Sequence, residues 1–287
     1  MTSTPPAPSP APPAGGFSLI SNEKLLALHA SMLRCRLLLE RCATLAREAD
    51  LALNEAAAPG REAALVGVTA NLRPSDTIFA LPHDPAVQFL QGASLPAILH
   101  GLLARPEPGD RDAASAAALK SALHAALASI AEGNGAIAVV FLGLGSAFDP
   151  PAAWRPTLQV AAAHRLPILF VCLAGPAADP LPSRNRQARN EEIVREAHTL
   201  RLPRIVVDGN DVVAVYRVTT EAITQARKGY GATIIECASS LGEQDAPLRT
   251  MERYLTRKGL FQPDAARDAS ESFIADLDAA HPSAATR

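Results

Sequence analysis

Two short stretches of this chain are apolar without interruption, and that leaves few folds open. Ile137-Ala138-Val139-Val140-Phe141-Leu142 and Ile168-Leu169-Phe170-Val171 contain no polar residue, whereas a strand with one face in water alternates apolar and polar side chains. Such strands must be covered on both faces, and the segments between them can supply the cover. Strands read over Thr77–Leu81, Ala136–Gly143, Pro167–Leu173, Ile205–Val207 and Thr233–Cys237. Helices read over Asn22–Asp50, Arg61–Asn71, Leu95–Leu103, Ala113–Glu132, a segment ending near His164, Asn190–Leu200 and Val212–Lys228. In the first of these, Leu25, Leu28, Met32 and Leu45 recur at helical spacing among Arg and Glu. Arg73-Pro74-Ser75-Asp76 reads as a turn and the Pro/Gly/Asp-rich Arg105–Asp112 as a loop. The β-α-β rhythm predicts an α/β fold with a doubly wound, mainly parallel sheet and helices on both faces.

Composition bounds the rest. Aromatics make up only 4% of the 287 residues against a hydrophobic share of 48%, so alanine and branched aliphatics must fill the core. Lys+Arg 27 against Asp+Glu 29 gives a net charge of -2, which offers no electrostatic footprint for nucleic acid or an anionic membrane. No apolar run is long enough and free enough of charge to span a bilayer, so the expectation is a soluble cytoplasmic protein. Residues 1–16, rich in Pro and Ala, read as a disordered tail without a secretory signal pattern. Residues 17–262 read as the folded domain, and 263–287 as a weak helix followed by a polar tail. Cys35, Cys42, Cys172 and Cys237 show no metal-binding spacing and read as buried reduced thiols.

Three blocks, in order, carry a resemblance. The first is Gly60-Arg61-Glu62-Ala63 with Leu72-Arg73-Pro74-Ser75-Asp76 and Leu90-Gln91-Gly92; the second runs from Val139-Val140-Phe141-Leu142-Gly143 through Arg165-Leu166-Pro167-Ile168-Leu169-Phe170-Val171-Cys172. The third joins Val207-Asp208-Gly209-Asn210-Asp211-Val212 to Ala232-Thr233-Ile234-Ile235-Glu236. Together they resemble the alpha subunit of the E1 component of 2-oxo acid dehydrogenases, of the pyruvate or branched-chain type. The resemblance implies a thiamine diphosphate-binding fold and a partnership as a homodimer or as a hetero-oligomer with an E1 beta-type subunit. It also implies a cofactor, thiamine diphosphate, held through Mg²⁺ by a GDG triplet at the end of one strand and an NN pair at the end of the next.

Those ligand positions have changed here. The triplet is matched by Gly143-Leu144-Gly145 and the NN pair by Ala174-Gly175, so the oxygens that a hard cation requires are missing from both side-chain positions. The family's YRDHGH segment is matched by Pro82-His83-Asp84-Pro85-Ala86-Val87, in which its histidines become Pro85 and Val87. Its glycine-rich stretch ending in GGSMH is reduced to Arg105–Asp112, and its late YRxxGHS loop is replaced by Ser240-Leu241-Gly242-Glu243-Gln244. Gly143, Leu144, Gly145, Ala174, Gly175 and His83 are therefore vestigial cofactor positions, with no catalytic or metal-binding residue expected and no cofactor expected to bind. His83 stands where the family places an arginine near phosphate, or else is a turn residue between Pro82 and Asp84.

Other residues favour structural readings. Asp149 and Asp179 each precede proline and read as turn residues rather than replacement ligands. Gly143-Leu144-Gly145-Ser146-Ala147-Phe148 lacks the third glycine of a dinucleotide fingerprint and the flanking glycines of a nucleophile elbow. In Asp208-Gly209-Asn210-Asp211, Asn210 or Asp211 is expected to cap the helix at Val212. His29, His100, His124, His164 and His198 fall on helices without an evident partner. Three functions remain open: a non-catalytic, partner-binding or regulatory E1 alpha homologue; a working 2-oxo acid dehydrogenase subunit with atypical ligands; and a small-molecule binding module reusing the vacated pocket.

Overall fold

The computed structural model describes residues 20–51, 59–80, 84–103, 110–144, 154–174, 195–238 and 246–280. Its elements run α1 (Asn22–Glu48), α2 (Glu62–Thr69), β1 (Thr77–Phe79), α3 (Pro85–Leu90), α4 (Leu95–Leu103), α5 (Asp110–Glu132), β2 (Ala138–Leu144), α6 (Trp154–Ala163) and β3 (Ile168–Ala174). A helix described over residues 195–199 (α7) follows. Then come β4 (Arg204–Asp208), α8 (Val212–Arg227), β5 (Thr233–Ala238), α9 (Ala246–Arg257) and α10 (Pro263–Ala279).

The strands form one sheet in the order β1-β2-β3-β5-β4, and every pair is parallel. Parallel pairing requires crossovers, which is why a helix lies between successive strands. Alternate residues of the apolar runs feed two separate cores. Val139, Phe141, Leu169, Val171 and Ile235 point to the side covered by α1, α2, α8 and α9. Ala138, Val140, Ile168, Phe170 and Ile234 point to the side covered by α5, α6 and α7, where the Trp154 ring meets Phe170 edge-on at 5.3 Å. The doubly wound expectation is met.

Local chemistry fixes the helix starts. Ser21 caps α1 through a bond from Lys24 N at 3.1 Å. Of the candidate caps for α8, Asp211 takes the position, accepting from Val213 N at 2.9 Å and Ala214 N at 3.1 Å. Helices α2 and α8 cross at Gly67, where an added Cβ would lie 2.7 Å from Val215 Cγ1. Asn71 Nδ2 secures the crossing by donating to Gly67 O at 2.9 Å and Tyr216 O at 3.2 Å.

The structure also departs from the sequence reading. The segment matched to YRDHGH leads into a helix, α3, begun by Asp84 and Pro85. Helix α5 starts at Asp110, inside the expected loop. Helix α9 had no counterpart in the sequence reading, and α10 is a full 17-residue helix rather than a weak one. Phe273 and Leu277 of α10 close a third apolar cluster against Leu38, Cys42 and Leu45 of α1 and Ile98 and Leu99 of α4. No described helix is long and apolar enough to cross a membrane.

Candidate functional site at the carboxyl edge of the sheet

Strands β2 and β3 end side by side. Leu144 is the register partner of Ala174, and Gly143 that of Leu173, so the first two residues of the triplet match and the first of the pair match come together on neighbouring strands at the carboxyl edge. The next strand across presents Cys237, partner of Leu173. The chain reverses its march here: it passes from β3 out to the edge strand β4, then returns through α8 to β5. In open α/β sheets ligands bind at such reversals, beyond the carboxyl ends of the strands. Gly145, Gly175 and His83 lie outside the described residues, as do Asp149, Asp179 and Ser240–Gln244.

Beyond β1, the described residues build a buried charge cluster. Arg36 donates from Nε to Glu62 Oε1 at 2.8 Å and from Nη2 to Oε2 at 3.2 Å, with side-chain exposures of 6% and 0%. Gly60, at φ 106, turns its N–H onto both Glu62 oxygens at 3.0 and 3.2 Å; a side chain would be strained there. Alongside, Arg61 Nη2 reaches Asp84 Oδ2 at 3.3 Å, while Asp84 Oδ1 accepts from Ala86 N and Val87 N at 3.1 Å each. Each acid is thus held by a guanidinium and by backbone N–H, the arrangement buried carboxylates need. Burial, with Glu62 and Asp84 nearby, pushes the Cys35 thiol up, and burial with Asp84 pushes Cys42 up to about 12. Both stay protonated at neutral pH and are poor nucleophiles. The cluster fixes the entry to α2 and α3 instead of offering a free acid or base.

The model of the dehydrogenase E1 component family matches residues 30–240. The chain belongs to the dehydrogenase E1 component family. Within it, the chain is similar to the pyruvate dehydrogenase E1 component subunit alpha of Staphylococcus aureus, 29% identical over 170 residues, covering 52% of this chain and 45% of that one. The subunit of the same name from Staphylococcus epidermidis is 28% identical over 170 residues with the same coverage. The chain therefore spans about half the length of these relatives.

Residues of the first and third E1-like blocks make structural contacts. Gly60 and Glu62 of the first block belong to the buried cluster. Asp76, at the end of Leu72–Asp76, has a fully buried side chain that accepts from Arg73 N at 2.7 Å, from Ile137 N at 2.9 Å and from Arg227 at the end of α8. It ties the turn before β1 to the start of β2. Asp208 and Asp211 of the third block make the turn and cap before α8.

Two further residues acquire partners that sequence reading did not give them. His29 lies 3.7 Å from Glu252 of α9 and edge-on to Phe261; burial lowers its pKa, partly offset by the Glu252 carboxylate. His100 Nδ1 sits 2.8 Å from Pro96 O on its own helix. Arg36 has no place in the sequence reading, although a cation between Met32 and Leu39 on the apolar stripe of α1 signals a buried ion pair. Among the described residues, no group of three or more His, Cys, Asp or Glu is placed to hold a metal ion.

Proposed function

We propose that this chain is a non-catalytic E1 alpha-like subunit that acts by association, with an E1 beta-type subunit or with itself, and does not hold thiamine diphosphate. The observation that carries this reading is the pairing of Leu144 with Ala174 at the ends of β2 and β3. These are the positions that the resemblance assigns to the metal-binding carboxylate and to the first Asn of the pair, and both side chains are hydrocarbon. A divalent ion takes oxygen ligands, and the diphosphate needs the ion to offset its charge. Residues of this type do not fit the group.

The chain between α4 and α5 gives independent support. Helix α4 ends at Leu103 and α5 begins at Asp110, leaving no length for the family's glycine-rich stretch. The acids of the nearest charge cluster are committed to Arg36, Arg61 and backbone donors. Isothermal titration of the full chain with thiamine diphosphate and Mg²⁺, alone and with a beta-type chain, tests the reading. Absence of heat beyond dilution is expected, and saturable micromolar binding would overturn it. In that event, decarboxylation of pyruvate or a branched 2-oxo acid in the presence of the beta-type chain and a lipoyl acceptor would identify a working subunit.

A further inference from the structure

The outer strand of the sheet carries a pattern that its role within one molecule does not use. Among the described residues, β4 has a strand neighbour on one side only, β5. Pro203 O accepts from Ile234 N at 2.9 Å, and Gly209 N donates to Ala238 O at 2.6 Å. Backbone groups alternate sides along a strand, so Ile205 and Val207 also face β5, while those of Arg204, Val206 and Asp208 face outward. Val206 is 53% exposed. An open edge bearing β-branched residues is one that folds cover or pair.

The sequence of that edge is self-complementary. In Arg204-Ile205-Val206-Val207-Asp208, reversing one copy about Val206 sets Arg204 opposite Asp208, Ile205 opposite Val207 and Val206 opposite itself. We propose that β4 is a self-association edge: two copies of this chain pair their β4 strands antiparallel about a two-fold axis at Val206, joining their sheets into one.

The outward residues are those that must meet in hydrogen-bonded pairs. Val206 exchanges both bonds with Val206 of the second copy, and Arg204 lies across from Asp208 of the second copy on either side. Opposite charges directly across an antiparallel pair are favourable and like charges are not, so charge selects the register. A parallel pairing would stack Arg204 on Arg204. Arg204 donates from Nε at 3.1 Å and from Nη2 at 2.5 Å to Glu236 Oε2, and Asp208 Oδ1 accepts from Asn210 N at 2.9 Å, but a guanidinium has further donors in its fork and a carboxylate a second oxygen for a partner across the edge. The opposite edge, β1, is only three residues long and has no such complementarity. This pairing does not rest on the reading of the cofactor positions, because a chain that bound thiamine diphosphate would present the same edge.

The test compares full-length wild type, Val206→Lys and Val206→Cys. Lysine at 206 sets two ammonium groups face to face at an exposed position. Cysteine at 206 adds an exposed thiol to a chain whose Cys35, Cys42, Cys172 and Cys237 are all buried. By light scattering coupled to gel filtration, wild type is expected at the dimer mass and Val206→Lys at the monomer mass with an unchanged circular dichroism spectrum. Val206→Cys is expected to become a covalent dimer with a short bismaleimide, since paired Cα atoms lie about 5.5 Å apart. A monomeric wild type, a dimer that survives Val206→Lys, or failure of Val206→Cys to crosslink would each overturn the proposal. Should Val206→Lys misfold, wild-type mass and the crosslink decide it.

Discussion

Replacing Arg36 with methionine removes one partner of an ion pair that is shut away from water. Glu62 has a side-chain exposure of 0% and keeps the Gly60 N–H as a donor. Breaking a buried pair from one side costs about 3–5 kcal/mol, since a charge is stranded in low dielectric. On a scale of 2–4 °C per kcal/mol for domains somewhat smaller than this, that lowers the melting midpoint by roughly 6–20 °C. Replacing both members, Arg36→Met with Glu62→Leu, strands no charge. The remaining penalty is the unpaired Gly60 N–H, about 1–3 kcal/mol. Urea denaturation of wild type, both single variants and the double variant closes the cycle. The double variant is expected to lose less than the singles combined, with a coupling of about 3 kcal/mol or more, the top of the range for residues in contact. Singles within about 0.5 kcal/mol of wild type, the range of surface changes, or losses that simply add, would show that the pair does not hold α1 to α2.

Gly67→Ala gains about 1 kcal/mol of helix propensity but drives a methyl to 2.7 Å from Val215 Cγ1; calorimetry should show a destabilised protein, overpacking costing about 1–3 kcal/mol. His29 gives a pH dependence: burial lowers its folded pKa below the ordinary imidazole value of 6.5, so the unfolded chain binds the extra proton. Stability is then fully present above 6.5 and falls as pH drops below it, and thermal melts of His29→Gln should fall less steeply over that range than wild type. Asp211→Ala removes the cap on Val213 N and Ala214 N and should cost about 1 kcal/mol by urea denaturation. All four cysteines are buried, so a thiol reagent should label them only at the rate of unfolding; rapid stoichiometric labelling of the native chain would contradict their burial.

Strands β2 and β3 could be read from sequence because burial on both faces removes polar residues, and no other local structure produces that run at that length. A cap before Val212 was legible for a similar reason, since an amide or acid before an apolar helical pattern has one common use, but the choice between Asn210 and Asp211 needed the hydrogen bonds from Val213 N and Ala214 N to Asp211. Strand order was not. That β5 inserts between β3 and β4 follows from packing α8 on the face opposite α5 and α6, a tertiary fact that no single segment encodes. Helix α3 was hidden because Pro85 looks like a breaker, although proline at a first helical position after Asp84 starts a helix. Missing α9 had a further effect: Glu252 lies on it, so His29 had no visible partner. At the site, adjacency of Leu144 and Ala174 confirmed that positions far apart in sequence share one edge, whereas the Arg36–Glu62 contact needed the α1–α2 packing to appear.

Anomalous scattering from a bound metal reads the coordination sphere at the ends of β2 and β3 directly. Crystals of the chain grown with thiamine diphosphate and Mn²⁺ in place of Mg²⁺ should give no anomalous peak beside Leu144 and Ala174, because neither residue carries a side-chain oxygen. A manganese peak at the carboxyl ends of β2 and β3, with diphosphate bound to it, would contradict the claim and make the chain a cofactor-holding subunit.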